Sequence, residues 1–149
     1  MNNFSEEYIK GHCPHCDPEA DSFEYLIEET KGFRVVCDRH PLTEGHVLII
    51  PKAHLSCIGE YSAELFEEFL KLYKKYGETI QRLYGSVATF EHGKFGQTVF
   101  HSHIHLLPFS GDPAQIIPEG QIRLRKINSL EELGGIYSKE GGYLFFLFP

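Results

Sequence analysis

One segment sets the folding problem for this chain. Between Ser62 and Tyr84 the residues Leu65, Phe69, Leu72, Tyr76, Ile80 and Leu83 recur at steps of three and four, which places them on one stripe of a helix, with Gly85 positioned to end it. A helix this long with a single apolar stripe needs an apolar surface to lie on. The rest of the chain offers short β-like runs. Tyr25 to Glu28 and Phe33 to Asp38 flank Lys31-Gly32 as a hairpin, and "HVLIIP" is a continuous apolar, β-branched run closed by Pro51, as in a buried strand. Val87 to Glu91 and Thr98 to Pro108 read as an antiparallel pair joined by a turn at Gly93 to Gln97. Beyond Phe109 the pattern weakens to a strand at Gln121 to Ile127, a short helix from Ser129 with Glu132 three residues on, and a last strand "YLFFLF". The expectation is an α+β domain spanning residues 1–149: an antiparallel sheet of about five or more strands, one long helix and a short C-terminal helix.

Charge narrows the function. With 14 basic against 21 acidic residues the net charge is −7, which disfavours a broad electrostatic footprint on nucleic acid, so any phosphate is expected to sit in a local pocket. No apolar run approaches the roughly 18 residues that span a bilayer, and Met1 to Lys10 lacks the basic start and apolar segment of a signal peptide. A cytoplasmic protein without a membrane partner is expected. Four cysteines are too few for a disulfide scaffold; the pair Cys13/Cys16 reads as metal-binding or redox-active, and Cys37 and Cys57 as small buried residues.

The chemistry concentrates in "HSHIHLLPF". On a strand, residues two apart share a face about 6.5–7 Å from each other, so His101, His103 and His105 would line one face while Ser102, Ile104 and Leu106 point into the core. Three readings of the row stand side by side. It is a solvated strand face, or a grip for a catalytic zinc with an open position for water, or a nucleophile whose neighbours orient it and hold developing charge. The flanking residues favour the last. Gln97 and Thr98 precede the row as neutral donors for phosphate oxygens, and Gly93 and Gly96 let backbone amides approach an anion. Asp38 is a suitable acceptor for ribose hydroxyls, and His46, at the mouth of the "HVLIIP" strand, is placed to orient a nucleophile.

The combination Gly45-His46-Val47-Leu48-Ile49-Ile50-Pro51-Lys52-x-His54 and Gly96-Gln97-Thr98-Val99-x-His101-x-His103-x-His105-Leu106-Leu107 strongly resembles the histidine triad superfamily of nucleotide hydrolases and transferases, over about Cys13 to Pro108. The resemblance implies a usually homodimeric protein that binds a nucleoside 5′-phosphate. It implies His103 as the nucleophile of a covalent nucleotidyl intermediate, His105 as the group that holds the α-phosphate, and His46 as their support. Gln97 and Thr98 would be phosphate and leaving-group contacts, and Asp38 the ribose acceptor. It also implies that Cys13 and Cys16 form a structural zinc site with His54 and His101, whereas the residues alone leave open an unmetallated pair, or His12 or His15 as a ligand. "GQTV" looks more like the dinucleoside polyphosphate hydrolase branch. The family's usual apolar residue between the first two histidines is replaced by Ser102, no tryptophan is present, and Ser110 to Pro149 match nothing. A nucleoside phosphoramidase, or a nucleotide-binding sensor or partner module with little turnover, are the alternatives. His92 and Lys94 lie near the expected pocket, with His40 and Lys52 as ordinary surface groups.

Overall fold

The computed structural model describes residues 13–112, 114 and 124–149. Six strands form one sheet: β1 (Leu26–Glu29), β2 (Phe33–Cys37), β3 (Val47–Pro51), β4 (Ala88–Gly93), β5 (Ile104–Leu107) and β6 (Tyr143–Leu147), in the order β1-β2-β3-β5-β4-β6. Every pairing is antiparallel. Helix α1 (Ala63–Tyr84) crosses one face and α2 (Glu132–Glu140) precedes β6. The architecture is the expected α+β one.

Local chemistry explains α1. The Ser62 hydroxyl accepts from the Leu65 N–H at 3.2 Å, and Gly85 closes the helix at φ 83 with its N–H on Gln81 O. Phe69, Leu72, Tyr76 and Ile80 are buried against Val35, Ile49, Ile104 and Leu106 of the sheet. The stripe stops a turn early: Leu83 is 66% exposed. Strand β3 is buried on both faces, under α1 on one side and in a cluster of Phe23, Val36, Leu48 and Ile50 on the other, which accounts for its unbroken apolar run. Gly45 turns the chain into β3 at φ +83, where a Cβ would meet the Tyr84 ring at 2.6 Å.

Four expectations need correction. The strand predicted over Thr98 to Pro108 is a strand only at Ile104–Leu107. Before it, the His101 N–H bonds to Val99 O and the Ser102 N–H to Leu55 O at 2.6 Å, so the backbone finds partners in a turn and in the loop after β3 instead of the sheet ladder. The Ser129 hydroxyl caps nothing: α2 begins at Glu132, whose carboxylate reaches back to the Asn128 N–H at 2.7 Å. Of the strand predicted over Gln121 to Ile127, residues 121–123 lie outside the described residues and 124–127 form no regular structure. Cys57 is fully buried as expected, but Cys37 is exposed at the end of β2. Among the described residues no helix is long and apolar enough to cross a membrane.

Candidate functional site

The site grows from the β3–β5–β4 register. Leu48 pairs with His105, and His105 with Phe90, so the His105 ring stands on the sheet face opposite α1. The predicted alternation survives in burial only from Ser102 onward: Ser102, Ile104 and Leu106 are each 0% exposed and His103 and His105 half-buried, but His101 is 0% exposed as well. The three imidazoles are then separated by their partners.

His101 turns to the cysteines. Its Nδ1 lies 3.4 Å from Cys13 Sγ, 3.5 Å from Cys16 Sγ and 3.2 Å from His54 Nδ1, and Cys16 Sγ lies 3.1 Å from His54 Nδ1. A tetrahedral ion with metal–sulfur bonds near 2.3 Å and metal–nitrogen bonds near 2.0–2.1 Å sets donor separations of about 3.3–3.8 Å, and the observed contacts lie within a few tenths of an ångström of that range. The quartet therefore fits a Cys2His2 metal site. The other nitrogen of His101 donates to Pro51 O at 2.7 Å, which fixes the ring and leaves Nδ1 unprotonated toward the cysteines. Burial pushes His101 down to about 4, so the ring is neutral, as a ligand must be.

His103 is oriented by its own backbone. Its Nδ1–H donates to His101 O at 2.7 Å, which leaves an unprotonated Nε2. His105 belongs to a directed chain: the Leu42 N–H donates to His46 Nδ1 at 3.1 Å, and His46 Nε2–H then donates to His105 Nδ1 at 2.9 Å. That order puts the His105 proton on Nε2. His46 thus supports His105, not His103. Asp38 Oδ2 stands 3.5 Å from His46 Nδ1, and its other oxygen accepts from the His40 N–H. Burial lowers the pKa of His103 and of His46, and pushes His105, beside the His103 and His46 rings, down to about 2. The site holds neutral imidazoles, one offering a lone pair and one offering a proton.

The HIT domain family model matches residues 19–111, more than half of the chain. The chain belongs to the HIT domain family. An uncharacterized HIT-like protein of Borreliella burgdorferi is 35% identical over 90 residues, 56% of this chain and 65% of that protein, so the matched part spans just under two thirds of the relative. The Arabidopsis thaliana adenylylsulfatase HINT3 is 30% identical over 77 residues, 49% of this chain and 39% of that protein. A crystal structure of a HIT family protein from Bacillus subtilis superposes with a TM-score of 0.60 at 24% identity, over 87% of this chain and 95% of that one. Both histidine segments lie inside the HIT match, while Cys13 and Cys16 precede it.

Other residues of this HIT chain fall less simply. Gln97 is buried with its amide donating to Ser56 O at 2.6 Å and its Oε1 without a partner, and Thr98 is exposed. The His92 ring bonds Gly96 O at 2.9 Å and braces the 93–97 turn. His15 does not join the metal quartet; it is 5% exposed and sets its ring edge-on to His103 at 5.1 Å and to His101 at 5.5 Å. Its Nδ1 has no partner, and burial pushes its pKa down to about 3. His12 lies outside the described residues. Sequence reasoning missed two contacts of the row, His15 as a packing partner of His103 and Phe90 as one of His105. The spacing of "HCPHC" brings His15 to the site once the cysteines converge on His101; no sequence signal pairs Phe90 with His105.

Proposed function

We propose that this chain is a nucleotide hydrolase or nucleotidyl transferase that acts at the α-phosphorus of a nucleoside 5′-phosphoanhydride, of the dinucleoside polyphosphate kind, through a covalent nucleotidyl-His103. The observation that carries the reading is the 2.7 Å bond from His103 Nδ1–H to His101 O, which commits Nε2 to a lone pair inside a buried site. In the first step Nε2 attacks phosphorus, the P–N bond forms, and the bond to the leaving phosphate breaks with its electron pair going to that phosphate. The His101 carbonyl stabilises the charge the imidazole gains, and His105 Nε2–H donates to a non-bridging oxygen. Water then attacks phosphorus, the P–N bond breaks with its pair returning to Nε2, and the proton of water is lost to solvent. Another nucleophile in place of water gives transfer. Asp38 takes the ribose hydroxyls, and Gln97 and Thr98 contact the phosphates, Gln97 by exchanging its bond to Ser56. The Arabidopsis relative's name supports an adenylyl substrate in the family.

The residues of the quartet would hold zinc as a structural ion. Four protein donors leave no open position for an activated water, which counts against a catalytic zinc. When bound, the ion supplies a cross-link between the 13–16 turn, the loop after β3 and the histidine row.

The test is rapid quenching in alkali during turnover of a dinucleoside polyphosphate labelled at the α-phosphorus. An acid-labile label on His103, absent from His103→Ala, is expected. Saturable binding of nucleoside monophosphate without label would favour the sensor alternative, and undiminished hydrolysis by His103→Ala would overturn the mechanism.

A further inference from the structure

Behind the histidine row lies a buried polar cluster that the proposed chemistry does not use. Ser102, between His101 and His103, is fully buried, and its hydroxyl donates to Glu91 Oε1 at 3.1 Å while sitting 2.7 Å from the Tyr61 hydroxyl. Glu91, 0% exposed, also accepts from the Ile58 N–H at 2.9 Å and from the Tyr143 hydroxyl at 2.5 Å. One carboxyl therefore ties β4 to the loop after β3, to the segment carrying the row, and to β6.

Burying a carboxyl among four segments is a costly way to stabilise a core, since well-packed apolar side chains commonly do as well or better. Its position indicates what it does. Residues 98–103 have no ladder to hold them, so the 101–102 peptide depends on other anchors. Its N–H is fixed on Leu55 O at 2.6 Å, its following side chain on Glu91 and Tyr61, and its carbonyl accepts the Nδ1–H of His103. A rotation of this one peptide would withdraw the acceptor that fixes the His103 tautomer.

We infer that Ser102 and Glu91 are positioning residues that lock the His101–Ser102 peptide and so set the tautomer and aim of His103. This rests on His103 being the nucleophile. Ser102→Ala removes the hydroxyl without adding volume, and Tyr61→Phe weakens the same anchor from the other side. Ser102→Ala is expected to lower kcat about tenfold or more with KM for a dinucleoside polyphosphate within about twofold, and with metal content and cooperative unfolding retained. Tyr61→Phe should show a smaller loss of the same kind. The nitrogen-15 NMR signals of His103 should move from a single Nδ1–H form toward a mixture of tautomers in Ser102→Ala. Folded variants with wild-type kcat and an unchanged His103 spectrum would overturn the inference. If His103→Ala stays active, the proposed function fails, yet the spectrum still decides whether Ser102 fixes the ring.

Discussion

Phe90 lies flat against His105, with ring centroids 4.0 Å apart and planes inclined by 10°. The pair is a cross-strand neighbour of the β4–β5 ladder, and Phe146 of β6 continues the row on the other side of Phe90. His105 is thus held by a hydrogen bond from His46 at one ring atom and by an aromatic face along its plane. The hydrogen bond sets where its proton is, and the stack sets where its ring is.

Replacing Phe90 by leucine keeps the site apolar and removes the stack. Aromatic pairs of this kind contribute about 0.5–1.5 kcal/mol, so kcat is expected to fall about 2–12-fold, with the His46–His105 bond still formed. Steady-state kinetics on Phe90→Leu check this; an unchanged kcat would mean that the His46 bond alone holds the ring.

Acid should weaken the fold before it protonates the site. His105 has a folded pKa of about 2 and those of His103 and His46 are also lowered, against an ordinary histidine value of 6.5. The unfolded chain therefore binds protons first. The stability contributed by keeping these rings neutral is complete above pH 6.5 and is lost as pH falls from there toward the folded values. Glu91 works in the other direction, because burial raises it from 4.5 to about 7, and its contribution is lost as pH rises through that range. Denaturant melts at pH 8, 6 and 5 should show a loss of about 2 kcal/mol from His105 by pH 5, with His103 and His46 adding in the same direction and Glu91 offsetting part of it. A profile that stays flat when Glu91 is replaced by glutamine would contradict the burial of the row.

Loss of the quartet should appear first as loss of stability. An ion bound about a thousand times more tightly than its free concentration contributes about 4 kcal/mol, or about 10 °C in Tm for a chain of this size. Elemental analysis should find about one zinc per chain, and Cys13→Ser or chelation should remove it and lower Tm by that amount.

His15→Phe separates packing from ligation. The phenyl ring keeps the edge contact with His103 and removes a buried nitrogen that has no partner, so the variant is expected to be more stable by about 1 kcal/mol with unchanged zinc content. A fall in zinc would make His15 a ligand after all.

What the sequence made legible was local. Ser62 to Gly85 reads as a helix because its stripe and terminators lie within one segment, and "HVLIIP" reads as a buried strand because both its faces are covered. Thr98 to Pro108 reads as one long strand from its local pattern, yet its first half bonds to Leu55 O, distant in sequence, and to Glu91 of the neighbouring strand, and leaves the ladder. The Cys13/Cys16 pair by itself read as metal-binding or redox-active, and only the family resemblance pointed to His54 and His101 as its partners. Exposure of Cys37 and of Leu83 depends on where the sheet and helix end, which no periodicity encodes.

The departure of residues 98–103 from the ladder bears on how such a chain tolerates change. A residue inserted within β5 would shift its pairing by one and turn His105 from the open face into the core beneath α1. The same insertion in the 93–97 turn leaves that register alone, so His105 keeps its place beside Phe90 and the cost falls on the His92–Gly96 and Gln97–Ser56 bonds instead. The four residues of β5 before Pro108 therefore hold a fixed count, whereas a change of length ahead of them leaves the register of His105 alone.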